Sequence, residues 1–191
     1  MTTTTDAKNP AWRRWIRTGG LTCMAALALP ATAATVSSPE GVIKIEVLDN
    51  DGRLTWSVER DGQAVLLPAP LGITVDGANL GEGASLGEAK LNSIDETYPI
   101  YGVHSTAVNR ATEAIFPVTH ESGTTYELHV RAYDDGAAVR YVVPAGEGMH
   151  RISGEATAFG IPGDVTIWWG RYDHNYEEVI HTSTLETMQD G

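Results

Sequence analysis

Basic charge is what this chain of 191 residues has least of: 13 Lys and Arg stand against 25 Asp and Glu, a formal net charge of −12. With no basic surplus there is nothing to neutralise a phosphate backbone, which excludes nucleic acid as a partner. Cysteine is nearly missing as well. Cys23 alone allows neither an intrachain disulfide framework nor a cysteine-rich zinc module. No apolar run approaches the roughly 20 residues needed to cross a bilayer, and helical periodicity is absent at useful length after residue 35. What remains is 42% hydrophobic and 20% charged, the balance of a folding globular chain despite 20 Gly and 9 Pro.

The first 34 residues read as a leader. Arg13, Arg14 and Arg17 precede the low-charge stretch Gly19 to Leu29, and Pro30 leads into Ala31-Thr32-Ala33-Ala34, with small residues at −3 and −1 of a cleavage site. This predicts a secretory signal peptide over 1–34 and a protein that is exported, periplasmic or extracellular, and not held in a membrane after signal removal. Arg13-Arg14-Trp15-Ile16-Arg17 also fits a twin-arginine signal, while Thr22 before Cys23 departs from a lipoprotein site. Removal of the leader takes away four of the 13 basic residues and one of the 25 acids, leaving nine against 24, net −15. About 157 residues are then left for one domain, over 35–191.

After residue 40 the chain reads as short strands separated by turns. Ile43, Ile45 and Val47 alternate with polar residues; so do Leu54, Trp56 and Val58, after Asn50-Asp51-Gly52. Asp61-Gly62 tolerates the positive φ of a two-residue hairpin, so Gln63 to Leu67 should return antiparallel. Tyr126, Leu128, Val130 and Ala132 face one way, Asp134-Asp135-Gly136 turns, and Val139, Tyr141 and Val143 come back. Ile115 to His120 and Val165 to Trp169 complete the expected strands. The predicted class is all-β, an antiparallel β-sandwich.

Chemistry-bearing motifs are sparse. Gly83-Ala84-Ser85-Leu86-Gly87 has the spacing of a nucleophile elbow, but the strand before it and the helix after it are missing, so Asp76 to Gly87 reads as a flexible surface loop. His104, His120, His129, His150, His174 and His181 never fall two or four apart as metal ligands on one face would; His129, between Glu127 and Arg131, reads as solvated. The densest segment runs from Trp168 to Glu178, where aromatics that can stack on sugar rings adjoin carboxylates that can bind hydroxyls or calcium. The competing expectation is that one of Trp168 and Trp169 fills the core and the acids are solvated.

The order of several segments carries a further signal. Ser38-Pro39-Glu40-Gly41, then Gly52-Arg53-Leu54-Thr55-Trp56-Ser57-Val58 and Pro70-Leu71-Gly72-Ile73, resemble the opening of the N-terminal domain of glycoside hydrolase family 97. Tyr133-Asp134-Asp135-Gly136-Ala137-Ala138-Val139-Arg140-Tyr141, Gly154-Glu155-Ala156-Thr157-Ala158-Phe159 and Asn175-Tyr176-Glu177 are similar to family segments in the same order, whereas Trp168-Trp169-Gly170-Arg171 is only loosely so. The resemblance implies a β-sandwich of the galactose-mutarotase type, incomplete here at its C-terminus, belonging to an α-glycosidase for α-glucosides or α-galactosides whose catalytic carboxylates lie in a (β/α)₈ barrel. It assigns no catalytic residue to this chain. It implies that Glu177 is a ligand of a calcium ion in the complete enzyme, weakly bound or absent in this fragment, with Glu178 as the alternative one residue on. The partners implied are the barrel and a carbohydrate. A stand-alone exported carbohydrate-binding sandwich is the other expectation.

Overall fold

Three Asp-Gly pairs set the path of the first half of the chain. The structure, a computed structural model, describes residues 32–145, 148–163, 165–171 and 178–188, and among these every regular element is a β-strand. Strands β1 (Thr32–Ser37), β2 (Ile43–Asn50), β3 (Arg53–Arg60) and β4 (Gln63–Pro70) form an antiparallel sheet in that order. Asp51 and Gly52 have φ of 54° and 79°, and Asp61 and Gly62 have 51° and 77°. Two successive left-handed residues make the turn whose twist matches that of its strands, so each pair closes a two-residue hairpin. The expected leader boundary at residue 34 falls within β1, where Ala33 and Ala34 lie opposite Leu48 and Val47.

β4 is an edge strand, and Pro68, which has no N–H to donate, sits where its pairing with β3 is irregular. Strands β5 (Ile73–Val75) and β6 (Ala78–Asn79) flank the third pair, Asp76-Gly77, with φ of 51° and 87°. β7 (Ala84–Leu86) follows and joins a second sheet of β8 (Lys90–Pro99), β9 (Thr106–His120), β10 (Thr125–Ala132) and β11 (Ala137–Val142). Its order is β11-β10-β9-β7, with β8 on β9 as well.

The expectation of a flexible loop over Asp76 to Gly87 is therefore wrong. Leu80, Ala84 and Leu86 are buried in the core, and the Tyr126 hydroxyl donates to the Leu80 carbonyl at 2.9 Å. The segment carries apolar residues at too few positions to show a period, and its turns conceal them. The strand expected from Ile115 starts nine residues earlier, at Thr106, and β8 was not foreseen: its side chains are mostly exposed, so no alternating apolar face marks it. The strand expected over Val165 to Trp169 is shorter, β13 (Ile167–Trp169), paired with β14 (His181–Ser183).

The two sheets share one core. Ile45, Val47, Leu54 and Val58 from the first meet Phe116, Val118, Leu128 and Val130 from the second, all nearly or wholly inaccessible. The core tryptophan is Trp56; neither Trp168, which is exposed, nor Trp169 belongs to that cluster, against the expectation that one would. A strap closes the open edge: β12 (Ile152–Glu155) pairs with β5, and the chain continues antiparallel, Ala156 N–H donating to the Gly72 carbonyl and Ala158 N–H to that of Pro70, both at 2.9 Å. Trp56 Nε1 donates to the Ala158 carbonyl at 3.0 Å, and Phe159 meets the Trp56 ring edge-on at 5.5 Å.

Two glycines test this picture by different physics. At Gly62 a methyl group would meet nothing within 4 Å, so Gly62→Ala should cost only the left-handed backbone penalty, about 1 kcal/mol. At Gly81 it would overlap the Leu71 carbonyl, so Gly81→Ala should lower the urea midpoint several times more. Equal losses in urea titrations of the two variants would refute the packing at Gly81.

Candidate functional site

Antiparallel pairing places alternate residues of β9 and β10 on opposite faces, and the face turned away from the core is not simply solvated. In register, Arg131 lies opposite Glu113, and on the other flank of β9 Asn92 does too. The Arg131 Nε donates to Glu113 Oε1 at 2.8 Å, and Asn92 Nδ2 donates to Oε2 at 3.2 Å. Glu113 is 7% exposed, the one buried acid among the described residues. Burial pushes its carboxyl up, but the hydrogen bonds from Arg131 and Asn92 and the charges beside it outweigh that and hold it below the ordinary value.

His129 belongs to the same group. Its Nε2 lies 2.8 Å from Glu127 Oε2 and its Nδ1 3.7 Å from Glu113 Oε1, with only 14% of the side chain exposed. The expectation of a solvated His129 is thus corrected. Alternation placed it correctly on the outward face, but the carboxylate that covers it comes from β9, 16 positions earlier in the chain. Arg131, Tyr133 and Arg140 extend the group into an open cleft of about 270 Å³ between β10 and β11. Arg140 has no ion-pair partner among the described residues, and its Cα is directly opposite that of His129. Sequence reading missed this network because Glu113 sits in the part of β9 that was not recognised as a strand.

The other candidates are scattered. Ser85 is exposed on β7 opposite Thr119, and no histidine or acid hydrogen-bonds to it among the described residues. His120 is buried, with Nδ1 2.7 Å from Ser122 Oγ; His150 pairs with Asp76 at 2.7 Å; His181 stacks on Trp169 at 5.1 Å. No group of three or more His, Cys, Asp or Glu capable of holding a metal occurs among the described residues. Glu177, like Asp173, His174 and Tyr176, lies outside the described residues. Glu178 is described, and its Oε2 is buried with no hydrogen-bond partner among them. Trp168 is 73% exposed, while Trp169 donates from Nε1 to Ser183 Oγ at 3.1 Å.

Comparison with known proteins fixes the context. A family model described as Glycosyl-hydrolase 97 N-terminal matches residues 36–191. A probable retaining alpha-galactosidase of Streptomyces bingchenggensis is 35% identical over 156 residues, covering 81% of this chain and 24% of the relative. A retaining alpha-galactosidase of Bacteroides thetaiotaomicron is 31% identical, over 69% of this chain and 19% of its own length. Among solved structures, a Glycoside Hydrolase Family 97 enzyme from Pseudoalteromonas sp. strain K8, in complex with panose, superposes with a TM-score of 0.70 at 27% identity, over 81% of this chain and 25% of that one. The chain thus spans about a quarter of the length of the relatives it matches.

The Glu113 network makes a pH prediction. A carboxyl held below its ordinary value of 4.5 in the folded state contributes stability that is complete above that pH and lost as pH falls through the lower, folded value. Thermal melts of the native chain should therefore fall off as pH drops below about 4.5, and Glu113→Gln should flatten that decline. Arg131→Met, which leaves a buried carboxylate without its cation, should cost on the order of 3 kcal/mol at neutral pH. A Glu113→Gln melting profile parallel to that of the native chain would contradict the assignment.

Proposed function

Because the chain belongs to the glycosyl-hydrolase 97 N-terminal family over residues 36–191, we propose that it is the non-catalytic N-terminal domain of an exported α-glycosidase hydrolysing α-glucosides or α-galactosides. The single observation that carries this reading is the chain-long family match combined with coverage of only about a quarter of relatives that are themselves α-galactosidases. Electrostatics agrees. A glycosidase needs a general acid whose pKa is raised, yet every carboxyl with a displaced pKa among the described residues, Asp76, Glu113 and Asp134, is displaced downward. Held below their ordinary values, these carboxylates accept hydrogen bonds, which suits a structural part. Acid, base or nucleophile would come from a (β/α)₈ barrel on which the sandwich packs.

The proposal assigns this chain one contribution to the active site, a carboxylate ligand to calcium. Family resemblance points to Glu177. Glu178 beside it supplies a structural observation: its Oε2 is removed from water with no donor among the described residues, which is costly, and a hard cation with 6–8 oxygen ligands is a partner it suits. That observation supports Glu178, the alternative ligand; Glu177 rests on the family resemblance alone. Adjacent residues of an extended segment point opposite ways, so one of the two would reach a shared site and the barrel would provide the other ligands. Bound there, calcium would supply positive charge beside the sugar. Within the chain, β13 and β14 hold the two ends of the segment together.

A stand-alone exported carbohydrate-binding sandwich is the second reading, favoured by the exposed Trp168, whose indole offers a sugar an apolar face. Two measurements separate them. The purified chain should release no nitrophenol from aryl α-glucosides or α-galactosides above a heat-killed control; turnover by the chain alone would end the non-catalytic reading. Fused to a family barrel, it should restore hydrolysis, with Glu177→Gln lowering calcium affinity and activity together and Glu178→Gln leaving both nearly unchanged. The reverse pattern would transfer the ligand to Glu178, and no effect from either would remove calcium from the proposal.

A further inference from the structure

We propose that the cleft between β10 and β11 on the outward sheet face, lined by Glu113, His129, Arg131, Tyr133 and Arg140, binds a single neutral sugar ring. The site lies in the sandwich itself and belongs to no step of the reaction outlined above.

Three observations carry it. First, the outward face of a sandwich sheet normally bears independent solvated side chains, but this one buries a carboxylate to 7% exposure and secures both of its oxygens. That fixes Arg131 and His129 before any ligand arrives, which is the preorganisation needed to compete with water for a well-hydrated polyol. Second, the charges nearly cancel. Arg131 pairs with Glu113, and Arg140, which has no ion pair of its own among the described residues, is offset in number by Glu127, held against His129 at the edge of the cleft. An anion entering the cleft would face two carboxylates, whereas a polyol finds donors and acceptors of both kinds side by side. Third, the cleft of about 270 Å³ is just below the range of about 300–1,000 Å³ typical of drug-sized ligands. It has room for one ring, and Tyr133 offers an aromatic surface and a hydroxyl together. Choosing a sugar among neutral polyols rests on the glycosidase reading; the site itself does not.

The free donor is Arg140. Its guanidinium lies on edge strand β11, exposed and without an ion pair among the described residues, so removing it breaks no ion pair there. Arg140→Met therefore tests binding with little risk to folding; Tyr133→Phe also removes the hydroxyl that Arg131 contacts and is read beside its own thermal melt, whereas Glu113 variants would confound binding with folding.

The experiment is a titration of the isotope-labelled chain with methyl α-galactoside and methyl α-glucoside, and separately with sodium sulfate and glucuronate, followed by backbone amide shifts. A neutral glycoside should move the amides of Glu113, His129, Arg131, Ala138 and Arg140, saturating with Kd on the order of 1 mM. Arg140→Met and Tyr133→Phe should each weaken binding by about tenfold, the factor for a hydrogen bond to a charged group or a comparable contact. Lys44→Met, on the first sheet, should leave it unchanged. The proposal is overturned by unsaturable or absent shifts, by response to the anions alone, or by shifts confined to Trp168 and Trp169. Hydrolysis by the barrel fusion is read separately, so failure of the glycosidase reading and failure of this site show up in different measurements.

Discussion

The register between β9 and β10 governs both faces of the larger sheet at once. Leu128 opposite Phe116 and Val130 opposite Ala114 fill the core, and the next pair along, Arg131 opposite Glu113, makes the charged contact on the other side. Because strand side chains alternate with a period of two, a one-residue slip would turn Phe116 and Leu128 to solvent and Glu113 toward the core. Burial of the apolar set thus fixes the register, and the fixed register delivers a carboxylate to a guanidinium at 2.8 Å without any loop having to place them.

The first sheet depends on that layer from the opposite side. Its strands alternate in the same way, with Ile45 opposite Val58 and Val47 opposite Trp56, and their Asp-Gly turns let the chain reverse within two residues. Its exposed edge is managed by the strap over residues 152–160. The strap gives the Trp56 indole an acceptor, pairs with the backbone beyond irregular β4, and receives a Tyr141 hydroxyl 2.7 Å from Thr157 Oγ1. An uncovered edge next to Pro68 would otherwise present unpaired amides to a neighbour.

Electrostatics gives the carboxylates of this domain a common character. Backbone amides or basic side chains meet each displaced carboxyl: the Arg151 N–H on Asp76, the Glu40 N–H on Asp134, and Arg131 with Asn92 on the otherwise destabilised Glu113. Such groups hold loops and strands in place and present fixed dipoles to a ligand. Raising a carboxyl for proton transfer takes an apolar pocket without donors, and none of these three sits in one.

By itself the sequence determined the class and the path of most strands, because apolar alternation and Asp-Gly turns are local: residues within ten positions of one another impose them, and 43–60, 126–132 and 137–142 could be read directly. It also determined the family, through short segments kept in order along the chain. Only the tertiary structure decided which polar residues act together. Glu113, Asn92 and Arg131 are separated by 18 and 21 positions, and nothing in local pattern distinguishes a buried, paired glutamate from a solvated one; β8 and the start of β9, exposed on both faces or shielded by neighbours, carry no period to reveal them. The burial of Leu80, Ala84 and Leu86 was hidden for the same reason, since a segment of two- and three-residue strands is too short for a period and gains its meaning only from the sheet it joins.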